Sequence, residues 1–166
     1  MSIKTKTAAD FLGIATLMAS FMLFVASLFF PAFNLSNGDS FGGLQTLLIG
    51  WMGLFAVGDE DYGGIGLFAW YANLFLFPIW LGLVFSKLRF ATIGGLVLTI
   101  FGLGLASISI FVKTLLLDEG GSTAAVTSMG FGFYLWLSSF VICAIGYLAV
   151  LARAQRSSNQ DEKNQS

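Results

Sequence analysis

The sequence predicts an all-α membrane protein in which four transmembrane helices pack as an antiparallel bundle, with an additional interfacial or re-entrant helix in the first external loop. Three observations carry this expectation. Of 166 residues, 57% are hydrophobic and only 10% are charged, whereas a water-soluble domain needs roughly a quarter of its residues charged to cover its surface. The charges avoid four long apolar runs, 11–30, 67–86, 91–112 and 130–152, none of which contains Asp, Glu, Lys or Arg. A helix needs roughly 20 apolar residues to cross a hydrocarbon layer about 30 Å thick, and each run is near that length. Finally, Lys4, Lys6, Lys87, Arg89, Arg153, Arg156 and Lys163 fall on one side of such a bundle, leaving only Lys113 on the other. The positive-inside rule then puts both termini and the 87–90 loop in the cytoplasm.

The first run follows Lys4 and Lys6 as a secretory signal would. Its apolar core exceeds the usual ~7–15 residues, and Pro31-Ala32-Phe33-Asn34 is no small-residue cleavage site, so a retained signal-anchor is expected. The next stretch, 41–58, is uncharged and nearly long enough to span. A crossing there would carry Lys87 and Arg89 outside and bring Asp59, Glu60 and Asp61 inside, so a helix lying in or dipping into the outer interface is expected, held by Trp51. In the second run, Pro78 cannot donate to the carbonyl of Leu74 and a kink is expected. Lys87-Leu88-Arg89-Phe90 is short enough to force the second and third helices into an antiparallel hairpin. The third run carries Gly95, Thr99, Gly102, Ala106 and Ser109 at steps of four and three. In lipid, small residues mark where backbones approach closely, so this stripe is the expected seam of the bundle. The fourth run ends the single domain at 152, and residues 153–166, polar and without an apolar anchor, read as a disordered cytoplasmic tail.

The residue inventory excludes much chemistry. With no His and a single cysteine, Cys143, the chain lacks the ligands of a haem or thiolate–imidazole zinc site, and the members of a Ser-His-Asp or Cys-His nucleophile. No cofactor, metal site or catalytic residue is predicted, and no enzyme activity. The near balance of 8 basic and 9 acidic residues leaves no basic face for nucleic acid. Ion-coupled transport ordinarily shows an ionisable group within a span, and none is present.

Two groups of residues remain as candidate sites. Asn73, the only amide side chain within the four runs, is level with Ser107 and Ser109 on the third helix and Ser138 and Ser139 on the fourth. This polar layer in the outer third of the membrane reads first as interhelical hydrogen-bond glue and second as a small cavity for a polar solute. Asp59, Glu60, Asp61, Asp118 and Glu119 form an external acidic surface. It reads first as solvated loop ends, and second as a place for a hard cation or a basic partner.

Gly50-Trp51-x-Gly53-Leu54, Ala69-Trp70-x-Ala72-Asn73 and Tyr134-Leu135-Trp136-Leu137 together resemble a loose pattern in small uncharacterised four-helix bacterial inner-membrane proteins. The resemblance implies a bacterial plasma membrane and no known activity. Claudin-like tetraspan proteins share a long first external loop, but their paired external cysteines are missing here. The expected function is therefore that of a non-enzymatic multi-pass membrane protein working through contact with another protein, as an accessory subunit or a toxin-immunity protein. Its partners are the lipid bilayer and either a second protein or further copies of itself. The alternative is a small oligomeric transporter or channel using the polar layer around Asn73.

Overall fold

The computed structural model describes residues 3–51, 64–117 and 122–163. Helix α1 (Ile3–Ser27) leads into strands β1 (Pro31–Leu35) and β2 (Ser40–Gly42) and a short helix α2 (Gly43–Ile49). A 3-10 helix (Gly64–Tyr71) runs directly into α3 (Ala72–Val84). Next come α4 (Arg89–Ser107), a 3-10 turn (Ile108–Phe111), strands β3 (Thr114–Leu116) and β4 (Thr123–Met129), and the long α5 (Phe131–Lys163).

The expected all-α fold of four membrane-crossing helices is corrected on two counts. First, the strands form a four-stranded antiparallel sheet in the order β2-β1-β4-β3. Its central pairing joins β1 to β4, matching Asn34 with Ser128 across most of the chain. Second, among the described residues only Arg89–Phe111 and Phe131–Arg156, of 23 and 26 residues, are long and apolar enough to cross a membrane. Phe11–Ser27 and Phe68–Val84 are shorter apolar helices. The first stops at Ser27 because Pro31 and the residues after it are extended and pair into the sheet, so the run ending at Phe30 is only partly helical. The second begins as a 3-10 helix, not as an α-helical turn.

Of the expected interfacial helix at 41–58, residues 40–42 are strand and 43–49 form α2; 52–58 lie outside the described residues. The amide of Gly42 donates to Gln45 Oε1 at 2.8 Å, tying the start of α2 to the end of β2. Pro78 sits inside α3 without ending it. The polar stretch after Arg153 continues α5 to Lys163; Ala152-Arg153-Ala154-Gln155-Arg156 holds good helix formers and neither Gly nor Pro.

Helix α1 packs on α5, α5 on α4, α4 on α3, and α3 back on α1. The apolar core between them centres on Leu76, Ile79, Phe140 and Tyr147, all buried. A second cluster, including Phe33, Leu35, Val112 and Leu115, lies beneath the sheet. All five residues of the small stripe on the third run are buried. At Gly102 an added Cβ would stand 2.9 Å from the Phe140 ring, which is how that stripe admits a bulky neighbour.

The two ends of the molecule differ. The strands extend from the C-terminal ends of α1 and α4 and feed the N-terminus of α5, so the sheet caps one end. At the other end Gly13 of α1 meets Leu83 and Ser86, beside the Lys87–Phe90 turn.

Candidate functional site

Helical side chains that carry a hydroxyl have a ready acceptor in the carbonyl three or four residues earlier on their own helix. This decides the fate of most of the polar layer. Ser107 Oγ donates to the Leu103 carbonyl at 2.8 Å and is exposed; Ser109 Oγ donates to the Ala106 carbonyl at 2.6 Å and is buried. Ser139 Oγ, fully buried, donates to the Trp136 carbonyl at 2.6 Å, and Ser138 is half-buried. Ser107 and Ser109 thus face different ways, and the serines do not converge on a shared space.

Asn73 is different. Its Nδ2 donates to the Trp70 carbonyl at 2.8 Å, closing the first turn of α3, while its Oδ1 accepts from Trp136 Nε1 of α5 at 2.8 Å. The structure therefore brings Asn73 to Trp136, one turn before Ser139. Trp136 stacks edge-on to Phe140, whose ring fills the hollow at Gly102.

A second polar cluster escaped sequence reasoning. Ser20 of α1 is fully buried; its Oγ accepts from Trp80 Nε1 of α3 at 3.0 Å and from Cys143 Sγ of α5 at 3.1 Å. One hydroxyl so ties three helices together. Nearby, the Tyr147 hydroxyl donates to the Ile79 carbonyl, with its ring tip between Gly82 and Gly95. A signal was present: Gly13, Thr16, Ser20 and Ser27 on α1 recur at steps of three, four and seven and are all buried. The small-residue logic that found the stripe on α4 finds this one as well. Thr16 packs where a Cβ on Gly146 of α5 would stand.

At the sheet end, Asn34 Nδ2 donates to Ser128 Oγ at 2.9 Å and Thr127 Oγ1 donates to the Asn34 carbonyl at 3.0 Å. Thr123, Ala125, Thr127 and Ser128 of β4 are exposed, giving a small, uncharged hydroxyl-bearing surface. Trp70 Nε1 donates to the Leu47 carbonyl at 2.7 Å, which fastens α2 to the 3-10 helix, and Tyr71 Oη donates to the carbonyl of Trp51, just beyond α2, at 2.7 Å. The proposed acidic surface, Asp59, Glu60, Asp61, Asp118 and Glu119, lies outside the described residues. Compared with known proteins, the chain matches no family model, no curated protein and no solved structure.

Proposed function

We propose that this chain is a multi-pass plasma-membrane protein, with both termini on the cytoplasmic side, that acts by contact with another protein at its sheet end. The single observation that carries this reading is how the polar groups are divided. Inside the helical layer they bridge neighbouring helices, as Asn73 to Trp136 and Ser20 to Trp80 and Cys143, whereas the sheet carries its hydroxyl side chains at exposed positions, where Thr127 and Ser128 bond within the sheet to Asn34.

Support for the membrane comes from the outward faces. Met22 on α1, Phe77 on α3, Val97 on α4 and Ile145 on α5 are 61%, 70%, 60% and 57% exposed, a surface that suits hydrocarbon on every side. Lys87, Arg89, Arg153 and Arg156 stand at the end remote from the sheet, which supports a cytoplasmic placement of that end. The bacterial inner membrane as the compartment is part of this proposal. Engagement of both ends of the Asn73 amide favours contact over transport as the activity.

A photo-crosslinking residue placed at Thr127 in cells tests the reading. A discrete heterologous protein adduct from Thr127, absent when the same residue replaces Ile145, is the expected result. Adducts of equal yield from both positions, or none from Thr127, would overturn it.

A further inference from the structure

The turn between β1 and β2 holds the parts of a backbone reaction. Residues 36–40 are all exposed. The Gly38 amide donates to the Leu35 carbonyl at 3.2 Å and the Leu35 amide to the Asp39 carbonyl at 3.0 Å, which closes the turn, and the Ser36 amide donates to the Ala125 carbonyl at 2.9 Å, which holds this tip to β4. One residue grips the Asn37 carboxamide at both ends: Nδ2 donates to Asp39 Oδ2 at 2.8 Å and Oδ1 accepts from the Asp39 amide at 3.0 Å. Gly38 takes φ 89°, a left-handed conformation that costs glycine nothing sterically. With no Cβ beside it, the Gly38 nitrogen is also uncrowded as it faces the side chain of the residue before it.

An asparagine carboxamide followed by glycine can be attacked by the glycine nitrogen. The Gly38 nitrogen gives its proton to solvent and bonds to Cγ of Asn37; the Cγ–Nδ2 bond breaks, and ammonia leaves with a proton from solvent. Water then adds to either carbonyl of the resulting cyclic imide and opens it to aspartate or isoaspartate. One water enters, one ammonia departs, and nothing is oxidised or reduced. In the closed turn every reacting group is engaged: the attacking N–H by Leu35, the leaving nitrogen by the Asp39 side chain, and the carboxamide oxygen by the Asp39 amide. Short exposed turns open locally without global unfolding, and opening releases all of them. We propose that Asn37 is a self-modification site, converted to aspartate or isoaspartate through the open form of this turn, and that the product is a latch against reclosing. A carboxylate at position 37 has no hydrogen to give Asp39 and repels it; isoaspartate also lengthens the turn by one main-chain carbon. The reaction needs neither the membrane nor the partner proposed above, and it marks the sheet end of the molecule irreversibly.

The test follows position 37 by peptide mass spectrometry in the whole chain, incubated at mildly alkaline pH either folded in mild detergent or unfolded in dodecyl sulfate and urea. Replacement of the amide nitrogen by oxygen registers as a mass gain, and chromatography separates isoaspartate from aspartate. The ratio of the folded to the unfolded rate reads the open fraction of the turn. The folded wild type is expected to convert, at a rate well below that of the unfolded chain. Asp39→Ala is expected to raise the ratio roughly tenfold, through loss of a hydrogen bond to a charged group. Gly38→Ala is expected to lower the unfolded rate, because its methyl crowds the attacking nitrogen, and to raise the ratio, because alanine resists φ 89°. The latch is read with Asn37→Asp, whose Gly38 and Leu35 amides are expected to exchange hydrogen faster than those of the wild type. No conversion in the folded wild type, a wild-type ratio of one, or a ratio that neither Asp39→Ala nor Gly38→Ala moves overturns the site. Exchange in Asn37→Asp as slow as in the wild type overturns the latch.

Discussion

Tyr147 shows how single residues set this packing. Its ring is fully buried and its hydroxyl reaches the Ile79 carbonyl through a notch left by Gly82 and Gly95. A methyl on Gly95 would fall on the ring itself, while one on Gly94, next in the chain, meets nothing within 4 Å. Gly95→Ala is therefore expected to destabilise by about 1–3 kcal/mol, the range for overpacking. Gly94→Ala, which gains helix propensity, should be neutral or better. Thermal unfolding in detergent compares the two, and equal midpoints would show that the ring can swing aside. Serines divide in the same way. Ser86 Oγ is buried with no hydrogen-bond partner among the described residues, so Ser86→Ala should be neutral or stabilising. Ser20→Ala strips the acceptor from Trp80 and Cys143 and should cost about 1–3 kcal/mol. Denaturant midpoints of the two variants are expected on opposite sides of the wild type, or at least well apart.

Elements meet where the chain changes from helix to sheet, and glycine again sets the terms. A Cβ at Gly132, in the first turn of α5, would stand 2.6 to 2.9 Å from the carbonyl oxygens of Phe30, Ser27 and Pro31. These are backbone atoms and cannot rotate away as the Phe140 ring beside Gly102 can. Gly132→Ala is expected to reach the upper end of the overpacking range, about 3 kcal/mol, and Gly102→Ala to cost less; the order of their melting temperatures is the check. The same junction explains what the sequence concealed. Strands of three to seven residues with small side chains, such as Thr123–Met129, show no clean alternation, their burial running exposed, buried, exposed, intermediate, exposed, exposed, intermediate. Their main pairing is with β1, far away in the chain, and local pattern carries no trace of it. One local signal did exist: Asn37-Gly38 between Phe33-Asn34-Leu35 and Ser40-Phe41 marks a hairpin. Gly38 takes φ 89°, its amide donates to the Leu35 carbonyl, and Asn37 Oδ1 accepts from the Asp39 amide at 3.0 Å. The helical seams were more legible, because steps of three and four between small residues are a property of one helix alone. The stripe Gly95 to Ser109 could be read from its own run, whereas the bond from Asn73 to Trp136 depended on how two runs pack.

At the scale of the whole molecule the fold is polarised along one axis, from an uncharged hydroxyl-bearing sheet to a basic and aromatic end. The axis follows from contacts that fix helix direction. Gly13 of α1 meets Ser86, Gly95 of α4 meets Tyr147, and Gly132 of α5 meets the carbonyls of Ser27 and Phe30. Among the described residues Arg89–Phe111 and Phe131–Arg156 are long and apolar enough to cross a membrane, while Phe11–Ser27 and Phe68–Val84 are shorter; the sidedness of the two ends tests whether α5 crosses. Cys143 is fully buried and supplies a silent background for thiol labelling. A cysteine replacing Thr127, exposed on β4, and one replacing Gln155, exposed on α5 beyond Arg153, stand at opposite ends of the axis. With a membrane-impermeant maleimide on intact cells, Thr127→Cys is expected to label at once and Gln155→Cys only after permeabilisation. Labelling of both from outside would place α5 on the surface instead of through the bilayer. The reverse pattern would invert the molecule and put the basic end outside, against the positive-inside rule on which the proposed orientation rests.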